Sequence, residues 1–262
     1  MKDSNFKKNQ FSYIDPTSSV EEKCHIGNGC IINNKVNIMN NSYIGDNTII
    51  YGPGIINEGT YIGPNCCLGH PDKIRLKTII SKSIRDKINK DSDKFEIGKE
   101  CIIRSGTVIY TNTKIGNNVE FGHSVMIREN VEIGDETIVG TKTVIDGSSK
   151  IGKKVSIQTG AYICFNSTID DAVFLGPYCV LTNDKYIMQK STKLIGPTIR
   201  RGASIGANSI LMPGTIIGKG AIIGAGALVS KNVPSKTVYV GLPAKIKGTL
   251  PSGWKSLLEE KL

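Results

Sequence analysis

Nowhere in this sequence do eighteen apolar residues run together, which excludes an ordinary membrane-spanning helix. The opening MKDSNFKKNQ is polar with no hydrophobic signal region behind it, so the chain reads as soluble and cytoplasmic, with no membrane partner. Aromatic residues make up only 6% of the chain against 29 glycines, leaving a core of small and aliphatic side chains interrupted by many turns. That balance favours a β-rich solenoid. The seven cysteines include no CxxC pair and are odd in number, which argues against a disulfide framework or a zinc site. A net charge of +10 would attract nucleic acid, anionic lipid or a phosphate-bearing small molecule. Because the basic residues are scattered and lack interleaved aromatics, a phosphate-rich small ligand suits them better than nucleic acid.

What the sequence does have is a six-residue clock. Aliphatic residues recur from Ile26 through Ile32, Ile38, Ile44, Ile50, Ile56 and Ile62 to Leu68, then from Ile97 to Leu181, and again from Ile199 to Val229. Phe121 is the one tick in these runs that is not aliphatic. Two residues before each tick stands a small or β-branched residue, such as Thr107, Val125 or Ala161, and Cys24, Cys30, Cys66, Cys101 and Cys179 fill that slot. These cysteines are expected in the core, with a structural role. Glycines at 27, 45 and 63, then at 98, 116, 134 and 152, are eighteen apart, so three hexads make one coil. A period of six fits neither 3.6 nor 3.5 and excludes helical and heptad readings. It fits a triangular prism of short parallel strands, with one aliphatic side chain per face per coil turned inward and coils stacked about 4.8 Å apart.

The hexads, with their Ile-Gly starts and small fifth residue, resemble the hexapeptide-repeat acyltransferases over roughly residues 20 to 245. The resemblance implies an all-β solenoid, a left-handed parallel β-helix of about ten triangular coils, usually a homotrimer with sites between subunits. The β-helix domain is expected to span 1–245, and a tail over 246–262 to form a short helix in which Trp254, Leu257 and Leu258 pack on the prism or a neighbour. Two excursions break the clock, at about 69–95 and 182–198. The first is long and basic, and either covers a nucleotide or a neighbouring subunit or is a solvated loop.

After the second break, IRRGASIGANSILMPGTIIGKGAIIGAGALVSKNVPSKTVYVGLPAKI resembles the coenzyme A end of the family. Gly202, Ala203, Gly220, Ala221, Gly226 and Ala227 match its small edge, against which pantetheine lies, while Lys231 and Lys245 match its basic end. The combination of LGPYCVLTND, a loop and RRGASIGANS is similar to N-acyltransferases that modify dTDP-linked amino-dideoxy sugars. In that group an Asn-Asp pair lies beside the acceptor amine and the thioester, and it matches Asn183 and Asp184. Where the 3-amino-sugar enzymes have a glutamate one coil below the Asn, this chain has Phe165, which implies a different acceptor, such as a 4-amino sugar, or a bulkier acyl group. Acetyl-CoA or another acyl-CoA is the implied co-substrate, with no permanently bound cofactor.

FGHSVMIREN adds His123, which resembles the histidine base of the lipid A acyltransferases, and the neighbouring Arg128 and Glu129. Coil arithmetic puts Ser105 in the column of His123, Gly147, Phe165 and Asn183 in the column of Glu129, and Arg128 one coil from Asp146. His123 and Asn183 are sixty residues apart, which places them about 16 Å apart along the axis. Two models result: His123 is the general base mid-prism, or chemistry occurs at Asn183 and Asp184 while His123, Arg128 and Glu129 hold the nucleotide sugar or line a subunit contact. The second is preferred, with the leaving thiolate taking the amine proton. A sugar or small-molecule O-acetyltransferase using His123 is the rival enzyme, and a non-catalytic scaffold the rival from another class. A γ-class carbonic anhydrase needs three converging histidines, whereas His25, His70 and His123 are widely spaced, with no partner evident for the first two; no metal is expected.

Overall fold

The structure, a computed structural model, describes residues 11–80 and 94–261. Each tick of the clock becomes the inward residue of a short strand, mostly two or three residues long, as in Tyr43–Ile44, where Tyr43 is exposed and Ile44 fully buried. Many corners between strands contain a residue with left-handed backbone, commonly asparagine, as at Asn41, Asn47, Asn65, Asn112 and Asn118. Asn tolerates that conformation better than most residues with a Cβ. Neighbouring coils pair in parallel with like residue over like, Ile32 on Ile50 and Ile50 on Leu68. A slip of one residue would turn every aliphatic side chain outward, so the apolar pattern itself locks the register. The fold is the left-handed parallel β-helix expected from the sequence.

Three sheets, numbered 1 to 3 in the order the chain meets them, make the faces. The chain has two compact units, Met1–Ser124 and Val125–Leu262. In the first, strands begin at Tyr13–Ile14 and Ser19–Val20, earlier than the hexads counted from Ile26. Ile14 and Val20 keep the same six-residue phase, and sheet 1 reaches eleven strands, one more than the expected ten coils. All five slot cysteines are buried. Hydroxyls in the same slots are buried with a carbonyl partner, either of the next coil, as Thr48 Oγ1 with Gly63 O at 3.0 Å, or of their own corner, as Thr215 Oγ1 with Met212 O at 2.8 Å. One slot is oversized: Phe95 is fully buried and its ring fills the space above Gly54, where a methyl group would overlap it.

The first excursion leaves sheet 1 after Cys67–His70 and returns to sheet 2 at Phe95–Ile97. Its described part is a helix, α1 (Lys73–Ile80), the one α-helix among the described residues, opened by the Asp72 carboxylate accepting the Arg75 amide at 2.9 Å. Residues 81–93 of that expected loop lie outside the described residues.

In the second unit, the excursion over 182–197 again leaves sheet 1 and returns to sheet 2, at Thr198–Ile199. Thr237–Val240 and Lys245–Thr249 then form an antiparallel hairpin, so the expected domain boundary after residue 245 falls inside a strand. The tail helix reduces to one 3-10 turn, Glu259–Lys261, and Trp254 and Leu257 stand largely exposed on the single chain, so of the two expected packings the one on the prism does not hold for them. The outward residues of sheet 1 in this unit are Met126, Val144, Tyr162, Val180, Ile210 and Leu228, with no charge among them. Those of sheet 2 include Glu132, Lys150, Thr168 and Thr198. No described helix is long and apolar enough to cross a membrane.

The Gly54 and Phe95 pair predicts a size-coupled core. Phe95→Ala should lower stability by about 3–5 kcal/mol in urea unfolding. Gly54→Ala alone should also destabilise, and Phe95→Leu added to it should recover part of the loss.

Candidate functional site

The corner joining sheet 1 to sheet 2 in the second unit brings most of the expected polar residues into one file. Glu129, Gly147, Phe165 and Asn183 occupy successive coils, as the spacing of eighteen predicts. Gly147 lies between the two side chains: a methyl group there would be in ordinary contact with the Phe165 ring at 3.5 Å and Glu129 Cδ at 3.7 Å, and tight only against Glu129 O at 3.0 Å. Asn183 Nδ2 donates to Phe165 O at 3.2 Å, which ties the amide to the backbone of the coil before it, where Phe165 is exposed.

Arg128 pairs with Asp146 at 3.5 Å, as coil stacking predicts, but its principal partner is the adjacent Glu129. Nε and Nη2 donate to the two Glu129 oxygens at 2.9 and 3.0 Å, a bidentate geometry. Tyr162 OH donates to Asp146 Oδ2 at 3.4 Å; burial, followed by that carboxylate, pushes the phenol above its usual pKa. Cys164, beside this group, is pushed up to about 11 by burial and is no thiolate nucleophile at neutral pH.

Asn183 and Asp184 open the excursion. Both carboxylate oxygens of Asp184 are occupied, accepting the amides of Tyr186 at 2.9 Å and Met188 at 2.8 Å. These bonds, Tyr186 first, hold its pKa below the ordinary carboxylate value. They also hold a turn in which Ile187 has φ of 49°, an unfavourable conformation for a β-branched residue. Ile187 and Met188 stand 77% and 88% exposed at its tip, while Lys185 and Lys190 approach the Tyr186 ring, their Nζ atoms 5.8 and 5.5 Å from its centroid. The far end of the loop is tied back by Asn166 Nδ2 to Leu194 O at 3.2 Å and by Ile195 N to Asn183 O at 3.1 Å.

His123 lies at the corner from sheet 3 to sheet 1 in the first unit, exposed, with Nδ1 2.7 Å from Ser105 Oγ, its expected column neighbour. The other two histidines do have partners, contrary to the sequence reading. His25 stacks on Tyr43 at 4.3 Å and Tyr43 on Tyr61 at 5.1 Å, along one face of sheet 3. His70 Nδ1 lies 2.8 Å from Pro71 O, and its ring is 4.7 Å from that of Tyr110. Among the described residues no three His, Cys, Asp or Glu side chains converge as metal ligands.

The expected coenzyme edge is not one edge. Ala203, Ala221 and Ala227 are fully buried, because each stands two residues before an inward aliphatic residue and fills the small slot of the core; their side chains cannot line a ligand groove. Gly202 and Gly220 stack at the corner from sheet 2 to sheet 3, with Gly202 under the Glu259 carboxylate, whereas Gly226 lies at the corner from sheet 3 to sheet 1. Lys231, just past the sheet 1 strand Leu228–Val229, and Lys245, in the hairpin, are both exposed. The sequence reading missed a different basic group, Lys219, Lys236 and Lys255, which gathers with Trp254 around Gly220. Lys219 could have been found, since it immediately precedes a corner glycine.

Residues 112–147 and 196–231 match the family described as bacterial transferase hexapeptide (six repeats), so the resemblance to hexapeptide-repeat transferases is borne out in those two segments. A 50-residue stretch is 40% identical to dTDP-3-amino-3,6-dideoxy-alpha-D-galactopyranose 3-N-acetyltransferase from Aneurinibacillus thermoaerophilus, covering 19% of this chain and 26% of that protein. The chain therefore spans about a quarter of the length of that curated relative. LpxA from Acinetobacter baumannii shares the fold, with a TM-score of 0.53 and 19% identity over 92% of this chain and 73% of that one. AntD, an N-acyltransferase from Bacillus cereus solved with dTDP-4-amino-4,6-dideoxyglucose and coenzyme A, is 20% identical over 53% of this chain and 74% of that one, with a TM-score of 0.35.

The Asp184 turn gives a prediction with a sign. Its carboxyl has a depressed pKa, so its hold on the loop is complete above the ordinary carboxylate range and is lost as the pH falls through the depressed value. Asp184→Asn should speed hydrogen exchange at the Tyr186 and Met188 amides at pH 7. Wild-type protein should show comparable loosening only in acid.

Proposed function

We propose that this chain is an acyl-CoA-dependent N-acyltransferase that transfers an acyl group to the amine of a nucleotide-linked amino-dideoxy sugar carried on dTDP. The observation that carries the reading is Asn183, fixed on the Phe165 carbonyl at the mouth of the excursion, in a sequence context matching the Asn-Asp pair of such enzymes. The short stretch of identity with a dTDP-amino-sugar N-acetyltransferase supports it.

Asn183 suits the reaction. Its Nδ2 has two hydrogens, and with one on Phe165 O the other can meet the oxyanion that develops on the thioester carbonyl. The uncharged amine attacks that carbon, the carbon–sulfur bond breaks as the carbon–nitrogen bond forms, and the leaving thiolate takes the amine proton. Asp184 shapes the loop; with both oxygens on backbone amides and a depressed pKa, it is a poor proton acceptor. Phe165 offers the acceptor an apolar ring face where the 3-amino-sugar enzymes have a carboxylate. This fits an amine placed elsewhere on the sugar, at C-4. Glu129 lies farther along the same file, with Arg128 beside it, and the two contact the remainder of the nucleotide sugar.

The reading includes a homotrimer with sites between subunits. The uncharged outer face of sheet 1 suits a second copy of the chain, and the Asn183 corner lies along one border of that face. A second reading, O-acyl transfer with His123 as general base, is favoured by the short Ser105 contact that orients the imidazole.

A thiol-release assay with acetyl- and longer acyl-coenzyme A donors against dTDP- and UDP-amino sugars separates the two. Asn183→Ala should lower kcat/KM by about 100-fold or more. His123→Asn should stay within about tenfold of wild type; a loss of the size expected for a missing general base would favour the O-acyl reading. No turnover with any amino sugar would overturn the proposal. Ile210→Lys, placing a charge on the otherwise uncharged sheet 1 face, should convert the trimer to monomer in light scattering. A trimer that persists in this variant would exclude that face as the contact.

A further inference from the structure

A second site lies at the corner from sheet 2 to sheet 3 of the second unit, where the tail crosses the prism and encloses a cavity of about 250 Å³. Its floor is Gly220, φ 62°, above which the nearest atom to an added Cβ is Lys236 Cγ at 3.8 Å, so the backbone there is open to a ligand. Lys219 and Lys236 stand beside that floor, Ser204 contributes a hydroxyl, and Trp254 and Lys255 come from the tail. The tail is pinned at three places. Leu250 N donates to Lys236 O at 2.9 Å, Ser256 Oγ to Ala172 O at 3.2 Å, and Arg201 Nε to Glu259 Oε1 at 3.2 Å.

The charges do not cancel. Glu259, the acidic residue lining the cavity, is engaged by Arg201, and Lys255 pairs with Glu260 at 3.3 Å. Among the described residues Lys219 and Lys236, which both line the cavity, have no ion-pair partner, so their positive charge is left uncompensated there. An indole beside them supplies a flat apolar surface of the kind on which nucleic-acid bases stack. Paired ammonium groups, a hydroxyl donor and an exposed aromatic face together match one ligand chemistry.

We propose that this cavity binds a phosphorylated nucleoside, its phosphate between Lys219 and Lys236 and its base against Trp254. Three sources present that chemistry: the nucleotide end of coenzyme A, the thymidine diphosphate of a sugar nucleotide, and a free mononucleotide. The site stands at a different corner from Asn183 and is separable from acyl transfer, because binding is read without turnover.

Trp254 is the sole tryptophan of the chain, so its emission reports on this cavity alone. The full-length protein should be titrated with adenosine 3′,5′-bisphosphate, dTDP and AMP, and in parallel with inorganic phosphate. A saturable change with at least one nucleotide is expected, and the nucleotide that binds most tightly identifies the source. In the Lys219→Ala, Lys236→Ala double variant, with its thermal unfolding by circular dichroism unchanged, affinity should fall by about tenfold or more. Three results would overturn the proposal: no saturable change at millimolar nucleotide, an equal change with inorganic phosphate, or undiminished affinity in the double variant. Failure here would leave the thiol-release assay unaffected, and the converse also holds.

Discussion

A prism only as wide as one aliphatic side chain from each face has no interior to spare. Inward positions are filled by Ile, Leu, Val and one Phe, and the slots between them by Thr, Ser, Cys, Ala and Val, nearly all with no exposure. Packing at this density leaves no room for a substrate or a solvated catalytic group. Chemistry is therefore confined to three places: outward strand positions, corners, and segments that leave the coil. The corner from sheet 1 to sheet 2 in the second unit offers all three within a few residues, and Asn183 stands where they meet.

The architecture was legible because the repeat is rigid. One inward residue per strand, two or three residues per strand and three strands per coil leave a period of six with nowhere to hide, and the same arithmetic placed Glu129, Gly147, Phe165 and Asn183 in one file. The reading failed where a pattern served two purposes. In the Gly-Ala pairs matched to the coenzyme edge, at 202 and 203, 220 and 221, and 226 and 227, glycine takes the left-handed corner and alanine the buried slot, so a motif that looks like a ligand edge is half core. The slot rule already contained that answer, since Ala203 stands two residues before Ile205. His25 could also have been read, because Tyr43 and Tyr61 follow it at intervals of eighteen on the outward side of sheet 3. The clustering of Lys219, Lys236 and Trp254 could not, because it depends on how a non-repeating tail folds back.

The two polar clusters of the second unit differ in how their charge is used. Around Arg128 the positive charge is fully masked, by the bidentate Glu129 carboxylate and by Asp146 as a second acid, so the group as a whole is net negative. Such an arrangement presents carboxylate edges as hydrogen-bond acceptors and suits recognition of hydroxyl groups. At Lys219 and Lys236 the positive charge is left uncompensated and acts at longer range, within the screening length of salt.

Register across the second excursion is kept without adjustment. Ile169 pairs with Ile199, Leu175 with Ile205 and Leu181 with Leu211, thirty residues apart where hexads on either side of the excursion pair at eighteen, as Ile151 with Ile169 and Leu211 with Val229, yet every one of these inward residues still lands on an inward residue. The prism is blind to how much chain is spent at that corner, provided that the chain returns in phase. Segments of different length and chemistry can thus be exchanged there like heads on a common handle, and the repeat beneath need not be redesigned. In such a scaffold, a change of acceptor is a local edit.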